Sequence, residues 1–219
     1  VHVKKLSLTS AAIFDPRTAT LTRRRGNRES RVPEILDVSI NVLIAAGYAG
    51  YTINRVANDA GIRLSTLQHY FSTREALLRA TIEEVAKRYF ERFRGFAENR
   101  NRSPHARLDA IIDDAFAELV KPGMPAAIFE SWGLALHEPF ARDVVVEIQK
   151  QFTRLFAKLV GELNPALSME ERELRGALIL SSCQGLIIFL RWTEDSPSQL
   201  DTFRKAVKVV WSGLGKADE

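Results

Sequence analysis

A single cysteine, Cys183, stands in 219 residues. It excludes an intramolecular disulfide framework and suits a reducing cytoplasm, where this chain is expected to work. Histidine is nearly as scarce. His2, His69, His105 and His137 are scattered without metal-ligand spacing, so neither metal nor cofactor is expected. No glycine-rich phosphate loop occurs. Asp113 and Asp114 occupy adjacent helical positions and diverge, which excludes a paired-carboxylate acid/base site. The sequence therefore predicts no enzyme. No uninterrupted apolar run approaches the ~20 residues that cross a bilayer, and no membrane partner is expected. Lys4 and Lys5 ahead of Leu6–Phe14 imitate the start of a secretory signal. Ser7, Thr9 and Ser10 interrupt that run, and Asp15-Pro16 follows it in place of a small-residue cleavage site. Strand-like alternation of useful length is missing, and so is any internal repeat.

What is present is apolar material in helical rhythm and an uneven charge. Apolar residues make up 46% of the chain, enough to build a core without disulfide or metal. Residues 1–79 carry twelve Lys or Arg against six Asp or Glu, while residues 80–219 carry nineteen against twenty-one. The basic excess sits wholly in the N-terminal third, which points to a polyanionic partner there. Residues 1–28 show no sustained period and end in Arg23-Arg24-Arg25-Gly26-Asn27-Arg28, read as a flexible basic arm ahead of the first helix.

From about Ser30 the pattern is helical throughout. Ile35, Leu36, Ser39, Leu43 and Ala46 recur at helical spacing, and Gly47 is expected to stop the first helix. Thr52 caps a short second helix whose Ile53, Val56, Ala57 and Ala60 form one apolar stripe. Gly61 breaks it, and a third helix follows to Tyr70. Thr73 caps a fourth. Breaks at Asn99–Pro104, Lys121-Pro122-Gly123, Glu138-Pro139, Asn164-Pro165 and Asp195-Ser196-Pro197 divide the remainder, giving an all-α chain of about nine helices.

The segment from Thr52 to Phe71 has helix-turn-helix form. Ala57 is small enough for the second helix to approach closely, Gly61 makes the sharp turn, and Ile62 and Leu67 fill the angle between the helices. The exposed face of the third helix then fits a major groove about 12 Å wide. Should they face the groove, Gln68 carries an amide suited to adenine, Arg63 a guanidinium suited to guanine, and Leu64 an apolar group for a thymine methyl.

The stretch from Ile35 to Leu78 resembles the DNA-binding domain of the TetR family of transcriptional regulators. The resemblance rests on Ile35-Leu36, Gly47-Tyr48, Thr52, Val56-Ala57, Ala60-Gly61-Ile62, Thr66-Leu67, Tyr70-Phe71 and Arg74-Glu75-Ala76-Leu77. It implies a three-helix head at 29–79 and a ligand-binding, dimerising body at 80–219. It also implies that Thr52 caps the second helix and touches a phosphate. Arg63, Leu64, Ser65, Thr66 and Gln68 would lie on the groove side, and His69, Tyr70 and Arg74 near phosphates. The chain departs from the family pattern at Arg63-Leu64-Ser65, where Ser, a variable residue and Gly are usual, and at Gln68, where Tyr is usual.

In the body, Leu174, Leu178, Ser181, Gly185, Ile188 and Trp192 step by four and three along one face of the eighth helix. Leu200, Phe203, Val207, Val210 and Leu214 do likewise on the ninth. With the resemblance, these two seams are assigned to a homodimer four-helix bundle, Ser181 and Gly185 allowing close approach. The second face of the eighth helix, with Ile179, Cys183, Ile187 and Leu190, is assigned to the interior. Phe129, Trp132, Phe152, Phe156, Cys183 and Gln184 are expected near the wall of a small-molecule cavity, with Glu130 and His137 as further candidate anchors. The effector is expected to be largely apolar, and Glu130 is the group that would favour a cation. The reading is a transcriptional regulator whose ligand releases it from a double-stranded DNA operator. Its alternatives are a ligand-dependent activator or co-repressor-type regulator of the same fold, and a helical small-molecule-binding protein or enzyme without specific DNA binding.

Overall fold

A computed structural model describes residues 28–119, 123–192 and 196–215. The basic arm expected over 1–28 lies outside the described residues, except that Arg28 already opens a helix. The described elements are α1 (Arg28–Gly50), α2 (Ile53–Asp59), α3 (Leu64–Tyr70), α4 (Arg74–Ala97), α5 (Pro104–Leu119), α6 (Met124–Ala135), α7 (Pro139–Leu163), α8 (Met169–Trp192) and α9 (Pro197–Leu214).

Local chemistry accounts for most of the helix starts. The Thr52 hydroxyl accepts from the Arg55 amide at 3.1 Å, and that of Thr73 from the Ala76 amide at 3.0 Å. Each supplies a partner to an N–H that the first helical turn leaves without one. Ser196 and Gln199 close a reciprocal capping box at the start of α9. Pro104, Pro139 and Pro197 are the first residues of α5, α7 and α9, where a missing N–H costs nothing. Gly47 breaks the helical run as expected, leaving helical geometry with φ 62°, and a short stretch beyond this kink extends α1 to Gly50.

Two cores result. One, around Ile35, Leu43, Val56, Leu67 and Leu78, ties α1–α3 to the first half of α4. Within it Ser39, Tyr51 and Thr81 share buried hydroxyl contacts, Ser39 to Tyr51 at 2.5 Å and Ser39 to Thr81 at 2.7 Å. Burial raises the Tyr51 phenol above its ordinary pKa, which keeps its proton in this network. The other core, around Phe93, Ile111, Phe156, Ile179, Cys183 and Trp211, fills the body. The division is not clean in sequence. Leu134, Phe140 and Ala141, from α6 and the start of α7, belong to the head's core. α4 runs unbroken through both. By length and composition alone α1 and α8 would reach across a bilayer, but α1 buries Ile35, Ile40 and Leu43, and α8 buries Ile179, Cys183 and Ile187, in these cores.

Candidate nucleic-acid interface and effector cavity

The turn between α2 and α3 is built as the sequence predicts. Gly61 holds φ +62°, a conformation that costs other residues a Cβ clash. The Ile62 amide donates back to the Ala57 carbonyl at 3.0 Å. Ala57 and Leu67 are buried in the angle, Leu67 at 0% exposure. With its inner face thus occupied, α3 presents Ser65, Thr66, Gln68 and His69 to solvent, with Arg63 exposed at its N-cap. Leu64 and Tyr70 are half-buried at its edges, and the His69 and Tyr70 rings meet edge to face at 5.5 Å. Thr52 is exposed as the cap of α2.

Arg74 departs from expectation. Its guanidinium points inward, donating to the Tyr51 carbonyl (3.0 Å), the Tyr48 carbonyl (3.1 Å) and the Tyr48 hydroxyl (3.2 Å). It also lies 4.4 Å from the centre of the Tyr48 ring. The cause is the chain end of α1, where the Tyr48 carbonyl takes only a long bond from the Tyr51 amide at 3.3 Å and the Tyr51 carbonyl follows the helix, so both have room for a further donor. The start of α4 brings a cation with five N–H groups alongside them. The side chain expected near a phosphate thus clamps the end of α1.

The same tyrosine is held from the body. The Glu130 carboxylate, on α6, accepts from the Tyr48 amide at 2.8 Å, and Glu138, just before α7, accepts from the Tyr48 hydroxyl at 3.0 Å. A Cβ on Gly47 would stand 3.1 Å from Glu130 Oε1, so the kink also makes room for this carboxylate. Glu130 is therefore committed to the head and does not face the cavity as the sequence suggested.

A cavity of about 60 Å³ opens between α4, α6, α7 and α8. Trp132, Phe152, Phe156, Cys183 and Gln184 line it, as expected. Phe129 does not. Its ring meets that of Trp132 edge-on at 5.9 Å, and it packs against the body's core. His137 is exposed in the turn after α6, and Gly133 faces open space at the surface. Sequence reasoning missed Tyr89, Ser131 and Gln149, which also line the cavity. The signal was present for Tyr89, which continues the α4 stripe of Ile82, Val85 and Phe93. Burial pushes the Cys183 thiol far above its usual pKa, so it is an apolar wall group and not a thiolate.

The α8 face of Leu174, Leu178, Ser181, Gly185, Ile188 and Trp192 is exposed along its length, Leu178 at 46% and Trp192 at 76%. The α9 seam is drawn differently from the sequence reading. Val207 is only 7% exposed and faces its own core, and Phe203 is half-buried between the Phe116 and Phe189 rings at 5.7 and 5.0 Å. Both are taken up where α9 packs on α5 and α8. The apolar residues α9 leaves exposed are Ala206, Val209 and Val210, the last at 61%, and Val210 alone survives from the expected stripe.

Comparison with known proteins agrees with this geometry. Residues 35–81 match the family model described as bacterial regulatory proteins, tetR family. The chain is 28% identical over 157 residues to the HTH-type transcriptional regulator BetI of Burkholderia thailandensis, covering 70% of this chain and 80% of that one. It is 25% identical over 189 residues to BetI of Vibrio campbellii, covering 84% and 90%. Among solved structures, a TetR transcription regulator from Haloarcula marismortui superimposes with a TM-score of 0.70 at 19% identity, over 84% of this chain and 97% of that one. The fatty acid degradation regulator FadR of Bacillus halodurans does so with a TM-score of 0.65 at 19% identity, over 87% and 97%.

Proposed function

We propose that this chain, which belongs to the TetR family and is a DNA-binding transcriptional regulator, is a cytoplasmic homodimeric repressor released from its operator when a small molecule enters the body cavity. In this reading Arg63, Leu64, Ser65, Thr66 and Gln68 meet base edges in the major groove. Thr52, His69 and Tyr70 lie along the phosphates. A second copy, paired through α8 and α9, carries the other recognition helix to the next half-site.

The observation that carries the release mechanism is the double engagement of α6. One side of this 12-residue helix gives Ile128, Ser131 and Trp132 to the cavity wall. Its Glu130, with Glu138 in the turn that follows, holds Tyr48 at the end of α1. The cavity volume supports a direction. An engineered void on the order of 150 Å³ takes benzene, and about 60 Å³ is well below that. A ligand of that size binds better to an expanded body than to the one described. Only such a difference in affinity shifts a conformational equilibrium. Moving α6 outward to make the room carries both carboxylates away from Tyr48 and frees the head to turn about α4.

Filling the cavity from within tests this. Ser131 is buried, its hydroxyl satisfied by the Ala127 carbonyl of its own helix at 2.7 Å. Ser131→Phe inserts a ring where the ligand would sit. Binding to a duplex selected by the wild-type protein from a randomised library is expected to weaken about tenfold or more, with Ser131→Ala close to wild type. Overpacking of this kind typically costs about 1–3 kcal/mol, so a thermal melt accompanies the assay to show that the variant is folded. Unchanged operator affinity would disconnect the cavity from the head. Tighter binding would favour the co-repressor response.

A further inference from the structure

We propose that the effector is an electrically neutral molecule with a flat aromatic or alicyclic body of substituted-benzene size and one hydroxyl or carbonyl group. Ring packing against Trp132 and Phe152 would hold its body, and the Tyr89 hydroxyl and the Gln149 and Gln184 amides its polar group. The inference rests on reading the cavity as the effector site, and goes beyond it by fixing the ligand's charge and polar anchor.

Three observations carry it. First, none of the cavity-lining residues is charged. The acidic side chain that sequence placed there, Glu130, is engaged with Tyr48. The charges that act on Tyr89 from outside the cavity, Arg92 and Asp114, are tied to one another in a two-pronged pair at 2.7 and 2.6 Å, and Arg92 also bridges Glu118 at 3.1 Å, so none of them is free to face an occupant. An ion entering the cavity would leave water and meet no counter-charge, and cation–π attraction to the rings offsets only part of that cost.

Second, the walls are not purely apolar. Tyr89, Gln149 and Gln184 line the cavity, and no side-chain hydrogen bond joins any of them to another described residue. All three are half-buried, so their polar groups are open to an occupant as donors and acceptors. A fourth polar wall residue, Ser131, is already bonded to its own helix and stands apart from this set. Burial raises the Tyr89 phenol far above its usual pKa, so it remains a hydrogen-bond donor across the physiological range.

Third, the rings that bound the space are already arranged for a further aromatic body. Tyr89 tilts against Phe152 at 5.4 Å between centroids, and Phe93 meets Phe152 edge to face at 5.5 Å. An aromatic ligand continues this packing in the offset and edge-on geometries that rings prefer.

Four compounds on one skeleton separate the possibilities. These are 4-ethylphenol (neutral, with a hydroxyl), 4-ethyltoluene (neutral, without one), 4-ethylbenzoate (anionic at pH 7) and 4-ethylbenzylamine (cationic at pH 7). Calorimetric titration of the full chain is expected to give 4-ethylphenol at least tenfold tighter binding than either ion and several-fold tighter than 4-ethyltoluene. In Tyr89→Phe or Gln184→Leu the advantage over 4-ethyltoluene should shrink while 4-ethyltoluene itself binds as before. Equal or tighter binding of either ion, or no binding of any compound to folded protein, overturns the ligand class. Operator release is read separately. If 4-ethylphenol binds but leaves operator affinity unchanged, the ligand class stands and the release mechanism falls. If an ion binds and releases the operator, the reverse holds.

Discussion

A chain carrying Leu178→Glu and Val210→Glu together sediments as a monomer at micromolar concentration and binds its selected operator at least a hundredfold more weakly. The two helices that bear these residues run antiparallel and in contact. Arg175 of α8 donates to the Leu214 carbonyl of α9, Trp211 to Ser182, and the Phe189 ring tilts against Phe203. The exposed faces of α8 and α9 therefore lie side by side, and Leu178 and Val210 belong to one apolar surface. Gly185 and Gly213 on that surface have open space where a Cβ would stand, which allows another backbone to come close. Two such helix pairs make a four-helix bundle. Neither substitution disturbs the single chain, because both side chains are exposed in it. In the dimer each would bury a carboxylate without a partner, a cost of several kcal/mol. The loss in DNA affinity follows from linkage, since joining two binding modules raises affinity by about 10²–10⁴-fold over either alone. A wild-type chain that is itself monomeric at that concentration, or a variant that stays dimeric, would refute the seam.

Gly176→Ala is expected to destabilise the fold by about 3 kcal/mol, although alanine favours a helix by roughly 1 kcal/mol over glycine. α8 crosses α7 at this residue. An added Cβ would lie 2.7 Å from the Ala157 amide nitrogen and 2.8 Å from the Thr153 carbonyl oxygen. Both are backbone atoms in the middle of α7, so relief requires separating the two helices along the centre of the body's core. Gly95 gives the contrast. It lies in α4, exposed, with nothing within 4 Å of a built Cβ. Gly95→Ala should therefore gain about 1 kcal/mol from helix propensity alone. At ~2–4 °C per kcal/mol for a chain of this size, thermal melts should move down by about 10 °C for the first and up by a few degrees for the second. A Gly176→Ala melt equal to wild type would mean that α7 and α8 are not packed as described.

The parts of this molecule that local chemistry decides were legible without coordinates. Thr52 and Thr73 cap the helices that follow them because a hydroxyl three residues before an orphan amide needs nothing else. Gly61 turns the head because the left-handed conformation selects glycine. Cys183 faces inward because the opposite side of α8 carries the exposed stripe. The failures involve contacts between residues far apart in sequence. Arg74 looks like a surface cation until the end of α1 is known to bring the Tyr48 and Tyr51 carbonyls beside it. Glu130 looks like a cavity anchor until the kink at Gly47 presents the Tyr48 amide, 82 positions away, to it. Val207 was placed on the dimer seam because a three-four stripe marks a buried face without saying whether its own chain or another one buries it. The cavity itself was expected between the fourth and eighth helices. Tyr89 on its α4 wall was missed because it reads as one more residue of a core stripe.

The central claim is that the cavity and the DNA-reading head oppose one another through α6, and its most direct test is a reciprocal titration. Operator affinity is measured with and without a saturating amount of the tightest-binding compound of the four, and that compound's affinity with and without saturating operator. Thermodynamic linkage requires the two ratios to be equal. The account predicts that both affinities weaken, by a common factor of about 5–150, the usual range of allosteric coupling. A common factor of one, or affinities that both tighten, would contradict it.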